Sequence, residues 1–114
     1  MDALEYHECC TLAEYLDALQ RQGRILRYGH IPNETWTKSW SQKIRNKKQG
    51  VKKGFPDYMI IFPKELVFIE MKRAKGGVTS PEQSAWLNDL MTLGITAEVC
   101  HGFDEAKKLI DSKL

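Results

Sequence analysis

Pro56-Asp57-Tyr58-Met59-Ile60-Ile61-Phe62-Pro63-Lys64-Glu65-Leu66-Val67-Phe68-Ile69-Glu70-Met71-Lys72 reads as two apolar strands around a turn. Tyr58 to Phe62 and Leu66 to Ile69 are rich in β-branched and aromatic residues, and Pro63-Lys64-Glu65 supplies the break. A loop symmetric about the Pro63-Lys64 bond sets Phe62 against Glu65 and Ile61 against Leu66. Continuing outward, the same register brings Asp57 opposite Glu70. Facing residues share one side of a sheet, with β-carbons about 4.5–5.5 Å apart, so the two carboxylates would be able to hold one ion. A bulge would break this register. Glu70 and Lys72 leave the same face of the strand and Val67, Ile69 and Met71 the other, which predicts chemistry on one side of the sheet and core on the opposite side.

Two carboxylates and an ammonium in this pattern point to metal-dependent chemistry on a phosphate. The alternative is a surface salt-bridge ladder of Asp57, Glu70 and Lys72. The distribution of charge favours a polyanionic partner. Residues 35–54 hold seven of the 17 basic residues, Lys38, Lys43, Arg45, Lys47, Lys48, Lys52 and Lys53, and none of the 15 acidic ones. The rest of the chain is therefore net acidic, although the total charge is only +2. Trp36 and Trp40 sit among these cations and would be able to stack on bases or sugars while the cations neutralise phosphates. A solvated loop with two core tryptophans is the plain alternative.

At 114 residues and 42% apolar composition, the chain is expected to be one α/β domain, 1–114, with no stretch long enough to span a bilayer. The first twenty residues lack a basic start followed by a continuous apolar run, so an intracellular, cytoplasmic location is expected. Cys9, Cys10 and Cys100 include no C-x-x-C pair, and free, mostly buried thiols without a catalytic base are predicted.

The remaining elements follow from caps and periodicity. Asp2 and Glu5 suggest a capping box, and Cys9, Leu12, Ala13, Leu16 and Leu19 recur at helical spacing up to Gly23. Ile25 to His30 reads as a strand, His30-Ile31-Pro32-Asn33 as a turn, and the basic segment as either helix or loop. Lys75-Gly76-Gly77 ends the second hairpin strand. Ser80-Pro81-Glu82-Gln83 marks a helix start, with Trp86, Leu87, Leu90 and Met91 as its apolar stripe and Gly94 at its end. Ile95 to Cys100 forms a strand, and Asp104 caps a last helix with Ala106, Leu109 and Ile110 inward. The predicted order is αβ, loop, ββαβα.

Several quoted pieces occur together: Glu8 on the first helix, the His30-Ile31-Pro32-Asn33 turn, Gly50-Val51-Lys52-Lys53-Gly54-Phe55-Pro56-Asp57, Ile69-Glu70-Met71-Lys72-Arg73, Ser80-Pro81-Glu82-Gln83 and Gly102-Phe103-Asp104-Glu105-Ala106. In this order and spacing the chain, from Glu8 to about Ile110, resembles the VRR-NUC family. That family is a branch of the PD-(D/E)XK nuclease superfamily and includes short virus-encoded members. The resemblance implies a restriction-endonuclease-like core, an αβββαβ mixed sheet flanked by helices, with a C-terminal helix added. It also implies hydrolysis of DNA phosphodiesters with Mg²⁺ or Mn²⁺, action on four-way junctions as in Holliday-junction resolvases, and a homodimer. One departure is Phe55 within a Gly-Val-Pro-Asp type turn, which bears on the shape of the site entrance.

On this reading Asp57 and Glu70 supply metal ligands, and the family adds the Met71 carbonyl and, directly or through water, Glu8. Glu8 facing solvent is the alternative. Lys72 is the catalytic ammonium. Gln83 either completes the capping box or supports the site. Lys53 is a candidate for phosphate contact, and Lys47, Lys48 and Lys52 for general attraction of DNA. His30 is expected to be buried and bonded to backbone, with contact to DNA as the alternative, Trp86 to be core, and His7 and His101 to have no convincing partners. A nickase or flap nuclease, a non-catalytic DNA-binding module, and an accessory subunit of a larger nuclease are the competing functions.

Overall fold

The computed structural model describes residues 3–32 and 39–114. Asp2, Asn33, Thr35, Trp36 and Lys38, which entered the readings above, lie outside the described residues. The order of elements is α1 (Ala3–Arg21), β1 (Arg27–His30), α2 (Trp40–Lys48), β2 (Tyr58–Ile61), β3 (Leu66–Lys72), α3 (Pro81–Thr92), β4 (Thr96–His101) and α4 (Phe103–Lys113). The four strands form one mixed sheet in sequence order, with β1–β2 and β2–β3 antiparallel and β3–β4 parallel. The parallel pair requires a crossover, which α3 provides. This is the expected α/β architecture of a mixed sheet flanked by helices, consistent with a restriction-endonuclease-like fold.

The hairpin has the register expected from its turn. Ile61 pairs with Leu66, Ile60 with Val67, Met59 with Phe68 and Tyr58 with Ile69, and Phe62 N–H donates to the Glu65 carbonyl at 2.9 Å. One step beyond Tyr58 and Ile69, Asp57 and Glu70 therefore face each other at the mouth of the strand pair.

Alternation along β2 and β3 divides the sheet into two faces. Tyr58, Ile60, Phe62, Val67, Ile69 and Met71 bury one face against Cys9, Leu12, Leu16 and Leu19 of α1 and Ala106 and Ile110 of α4. Each fully buried aliphatic side chain there stabilises the fold by about 1.5–3 kcal/mol. The opposite face, which was expected to be given over to chemistry, carries a second, smaller core. Phe68, Leu87 and Ala97 pack there with Phe55, Met59, Leu66 and Leu90. Because β3–β4 is parallel, α3 must cross that face, with Leu87 in the small core and Gln83 reaching the end that bears Glu70.

Several local expectations are revised. Met91 belongs to the surface, not to the α3 stripe, being 48% exposed. Trp86 is half-buried at the rim of the second core, and its indole N–H donates to the Lys53 carbonyl at 3.0 Å. The N-cap of α4 is Gly102 and not Asp104, which lies in the first helical turn. Cys9 and Cys100 are buried free thiols, whereas Cys10 is only half-buried. The basic segment contains a true helix, α2, capped by Ser39 and without one buried residue. No helix among the described residues is long and apolar enough to cross a membrane.

Candidate active site

Glu70 is 2% exposed, the one charged residue among the buried side chains of the described chain. Its two oxygens have different surroundings. Oε2 accepts a hydrogen bond from Gln83 Nε2 at 3.0 Å and lies 3.7 Å from Lys72 Nζ. Oε1 is buried with no hydrogen-bond donor. An unsatisfied buried acceptor costs about 1–3 kcal/mol, more when charged. Burial first, and then the neighbouring Asp57 carboxyl, push the Glu70 pKa from 4.5 to about 9; Lys72 opposes the shift and Glu5 adds to it. Two carboxylates held this close cannot both ionise cheaply without a cation between them. Asp57 in turn is fixed by its Oδ2, which accepts the Met71 backbone N–H at 2.8 Å.

These facts test whether the residues suit a hard divalent cation. They do: such ions take oxygen ligands, and the site offers Asp57, an acceptor of Glu70 without a donor, and a strand backbone at Met71. Among the described residues, no group of three or more His, Cys, Asp and Glu side chains gathers as a metal cluster. The side-chain contribution is thus the two facing carboxylates.

Gln83 does both things that the sequence left as alternatives. Its backbone N–H donates to Ser80 Oγ at 3.2 Å and its Oε1 accepts the Ser80 N–H at 2.9 Å, closing the capping box. The Nε2 end of the same amide remains free to hold Glu70. The start of α3 is in turn pressed against Gly54. A β-carbon there would fall 2.6–2.8 Å from backbone atoms of Glu82 and Gln83, and its φ of +91° is one that side-chain-bearing residues avoid. Phe55 follows, packed edge-on against Phe68 and Trp86 at centroid distances of 5.8 and 4.8 Å. The departure at Phe55 thus anchors the entrance loop to α3.

On the other side of Lys72 the turn after β3 closes tightly, since a β-carbon on Gly77 would lie 2.7 Å from Lys72 Cβ. His101 does have partners: its Nε2 is 3.3 Å from the Gly77 carbonyl and its Nδ1 3.7 Å from Glu105. His30 is exposed rather than buried, its ring 4.7 Å from that of Tyr58. His7 is exposed beside Tyr6.

Glu8 is engaged at the start of α4. Its Oε2 accepts the Phe103 backbone N–H at 2.5 Å, supplying α4 with the cap that Gly102 lacks. A carboxylate also suits the positive end of that helix. The α1 acid whose charge Glu70 feels is Glu5. The sequence contained a signal for this. Glu5 continues the stripe of Cys9, Leu12 and Leu16 that faces the sheet, but reading Asp2 and Glu5 as a capping box assigned it to the helix start. Lys47, Lys48, Lys52 and Lys53 are all exposed on or just after α2, and of these Lys53 is tied to the site wall through its carbonyl.

Comparisons with known proteins bear on the family and the fold. The family model described as the VRR-NUC domain matches residues 7–104. A solved structure titled "VRR_NUC domain protein" superposes with a TM-score of 0.74 over 100% of this chain and 90% of that one; at 20% identity the likeness shows the fold. No match was found among curated proteins. With a mixed sheet that seats Asp57 against Glu70, Lys72 beside them, and a family match over nearly the whole chain, the protein belongs to the VRR-NUC domain family, a family of nucleases.

Proposed function

We propose that the protein is a structure-selective endodeoxyribonuclease that depends on Mg²⁺ or Mn²⁺ and cuts branched DNA, four-way junctions first among them. What supports the reading is Asp57 beside the buried Glu70, whose Oε1 is left without a donor. Asp57, Glu70 and the Met71 carbonyl would hold the ion, which when bound would polarise a phosphoryl oxygen and acidify water.

The chain's own groups do the rest. Gln83 fixes Glu70 by binding Oε2, so Oε1 keeps a defined direction. Lys72 sets a positive charge beside the pair, where negative charge builds on the phosphorus during hydrolysis. The small core of Phe55, Phe68 and Leu87 packs on the same face of the sheet as Glu70 and Lys72. Lys47, Lys48, Lys52 and Lys53 draw the DNA backbone toward it.

Two symmetric incisions across a junction need two identical sites, so the acting form is a homodimer, with residues 1–114 as one nuclease unit in each copy. The protein works in the cytoplasm, that of a host cell if it is virus-encoded. The test is incision of a labelled four-way junction with Mg²⁺ or Mn²⁺. Paired symmetric cuts that disappear in Glu70→Ala or Lys72→Ala, with folding intact, support the reading. Single nicks or flap removal would reassign the substrate within the same chemistry, and metal-independent binding without incision on any DNA would leave only a binding module.

A further inference from the structure

The described part of the basic segment is a helix with two unlike faces. At about 100° per residue, Trp40, Lys43, Ile44, Lys47 and Lys48 fall on one side of α2, and Gln42, Arg45 and Asn46 on the other. Gln42 and Asn46 are its half-buried residues, and they are joined by a hydrogen bond of 2.6 Å, with Arg45 donating to Gln42 at 3.0 Å. The face with Trp40 therefore points outward. Trp40 is 73% exposed and Ile44 42% exposed, and Lys43 Nζ stands 6.0 Å from the Trp40 ring centroid. An aromatic left this open, with Lys43 beside it and without an acid in the segment, packs into neither core cluster of the described residues.

We infer that this outward face of α2 binds nucleic acid, with Trp40 stacking on an unstacked base while Lys43, Lys47 and Lys48 contact the flanking phosphates. The inference rests on the nuclease reading of the Asp57–Glu70 site and adds the feature of the substrate that is recognised. In a continuous duplex the bases are stacked on each other and closed to an aromatic side chain. Trp40 can stack only where bases are splayed, as at a branch, a single-stranded gap or an end.

Charge decides the occupant. A second copy of the chain meeting this face two-fold would set cation against cation, which opposes association. A polyanion complements every ionisable group on it. The root of the helix also leads to the site. Lys53, five residues past its end, is held by Trp86, and Gly54 abuts the first turn of α3, whose Gln83 grips Glu70.

The test is equilibrium binding in EDTA, followed by fluorescence anisotropy, with a duplex, the same duplex carrying a single-stranded overhang, and a four-way junction. A 2-aminopurine at the branch or overhang reports stacking. Trp40→Ala should weaken binding to the two DNAs with unstacked bases, the overhang and the open junction, about tenfold or more and abolish the 2-aminopurine quenching, while duplex affinity changes by less than about twofold. Trp40→Phe should restore most of the loss. The double variant Lys43→Ala, Lys47→Ala should weaken binding to all three and lower the salt slope by about two.

Trp40→Ala that binds all three DNAs as the wild type does overturns the inference. So does a Trp40→Ala effect confined to the oligomeric state, by light scattering, or to binding of anionic lipid vesicles. Wild-type protein that cuts junctions with Mg²⁺ while Trp40→Ala binds and cuts equally well removes this inference alone. Wild-type protein that neither binds nor cuts DNA removes the nuclease reading with it.

Discussion

Glu70, 2% exposed, sits between strands whose neighbours are core, whereas Trp40, at the head of α2, is 73% exposed and no residue of that helix is buried. The two regions are linked through the loop that Trp86 and Gly54 hold against α3. Their difference follows from what each is asked to do. Two carboxylates that repel each other, and an amide that must keep one of them in place, need a frame that cannot relax. The core behind β3 and the cap of α3 form that frame. Cations that attract phosphate need only number and reach, because their interaction falls off slowly within a screening length of about 10 Å. A helix with no buried residue suffices for that.

The contrast is broken most easily at the buried end. Glu70→Ala or Lys72→Ala should lower single-turnover incision by about 10²–10³-fold or more while leaving DNA affinity within a few-fold. Similar losses of chemistry from substitutions in α2, at saturating protein, would mean that the helix belongs to the catalytic frame.

Next in size is Gly54→Ala, which combines a positive φ with a β-carbon 2.6–2.8 Å from the backbone of Glu82 and Gln83. A loss of about 1–3 kcal/mol is expected in thermal or urea unfolding, and incision should fall as well because Gln83 moves with the start of α3. Unchanged stability would show that the loop is not pressed on the helix.

The buried carboxyl also sets a pH dependence. Because the fold raises the Glu70 pKa from 4.5 to about 9, the folded state holds a proton that the unfolded state releases. Metal-free stability from this group is full below about pH 4.5 and is lost as pH rises toward 9. The slope should be no steeper than about 1.4 kcal/mol per pH unit. Glu70→Gln should flatten that slope, as read by urea unfolding at several pH values in EDTA. A rise in wild-type stability across the window attributable to Glu70 would contradict the assigned burial.

The smallest effect belongs to the exposed cations. Lys47→Ala should change stability by less than about 0.5 kcal/mol and reduce the salt slope of DNA binding by about one. A larger loss of stability would show α2 to be part of the fold rather than an arm on it.

The hairpin register was legible in the sequence because alternating apolar residues and a proline-marked turn leave one pairing that buries Val67, Ile69 and Met71 together. The start of α3 was equally legible, since Ser80, Pro81 and Gln83 act locally. What escaped were contacts made over long separations. Glu8 capping α4 joins residues 95 apart, and nothing near Gly102 announces that its cap comes from another helix. Local capping rules pointed instead to Asp104. The second task of Gln83 was weighed as an alternative to capping, but an amide has a donor end and an acceptor end and can serve both. Trp86 shows the limit of an amphipathic stripe, whose edge positions can be core or surface. For α2 no periodic apolar pattern existed to read, because the helix buries nothing.

The most direct measurement is manganese anomalous scattering from crystals of the protein soaked in Mn²⁺. The expected result is a peak between the Asp57 carboxylate and Glu70 Oε1 that is lost in Glu70→Gln. A saturating soak that leaves that position empty, or places the ion elsewhere while the wild-type crystals remain isomorphous, would contradict the metal-dependent account.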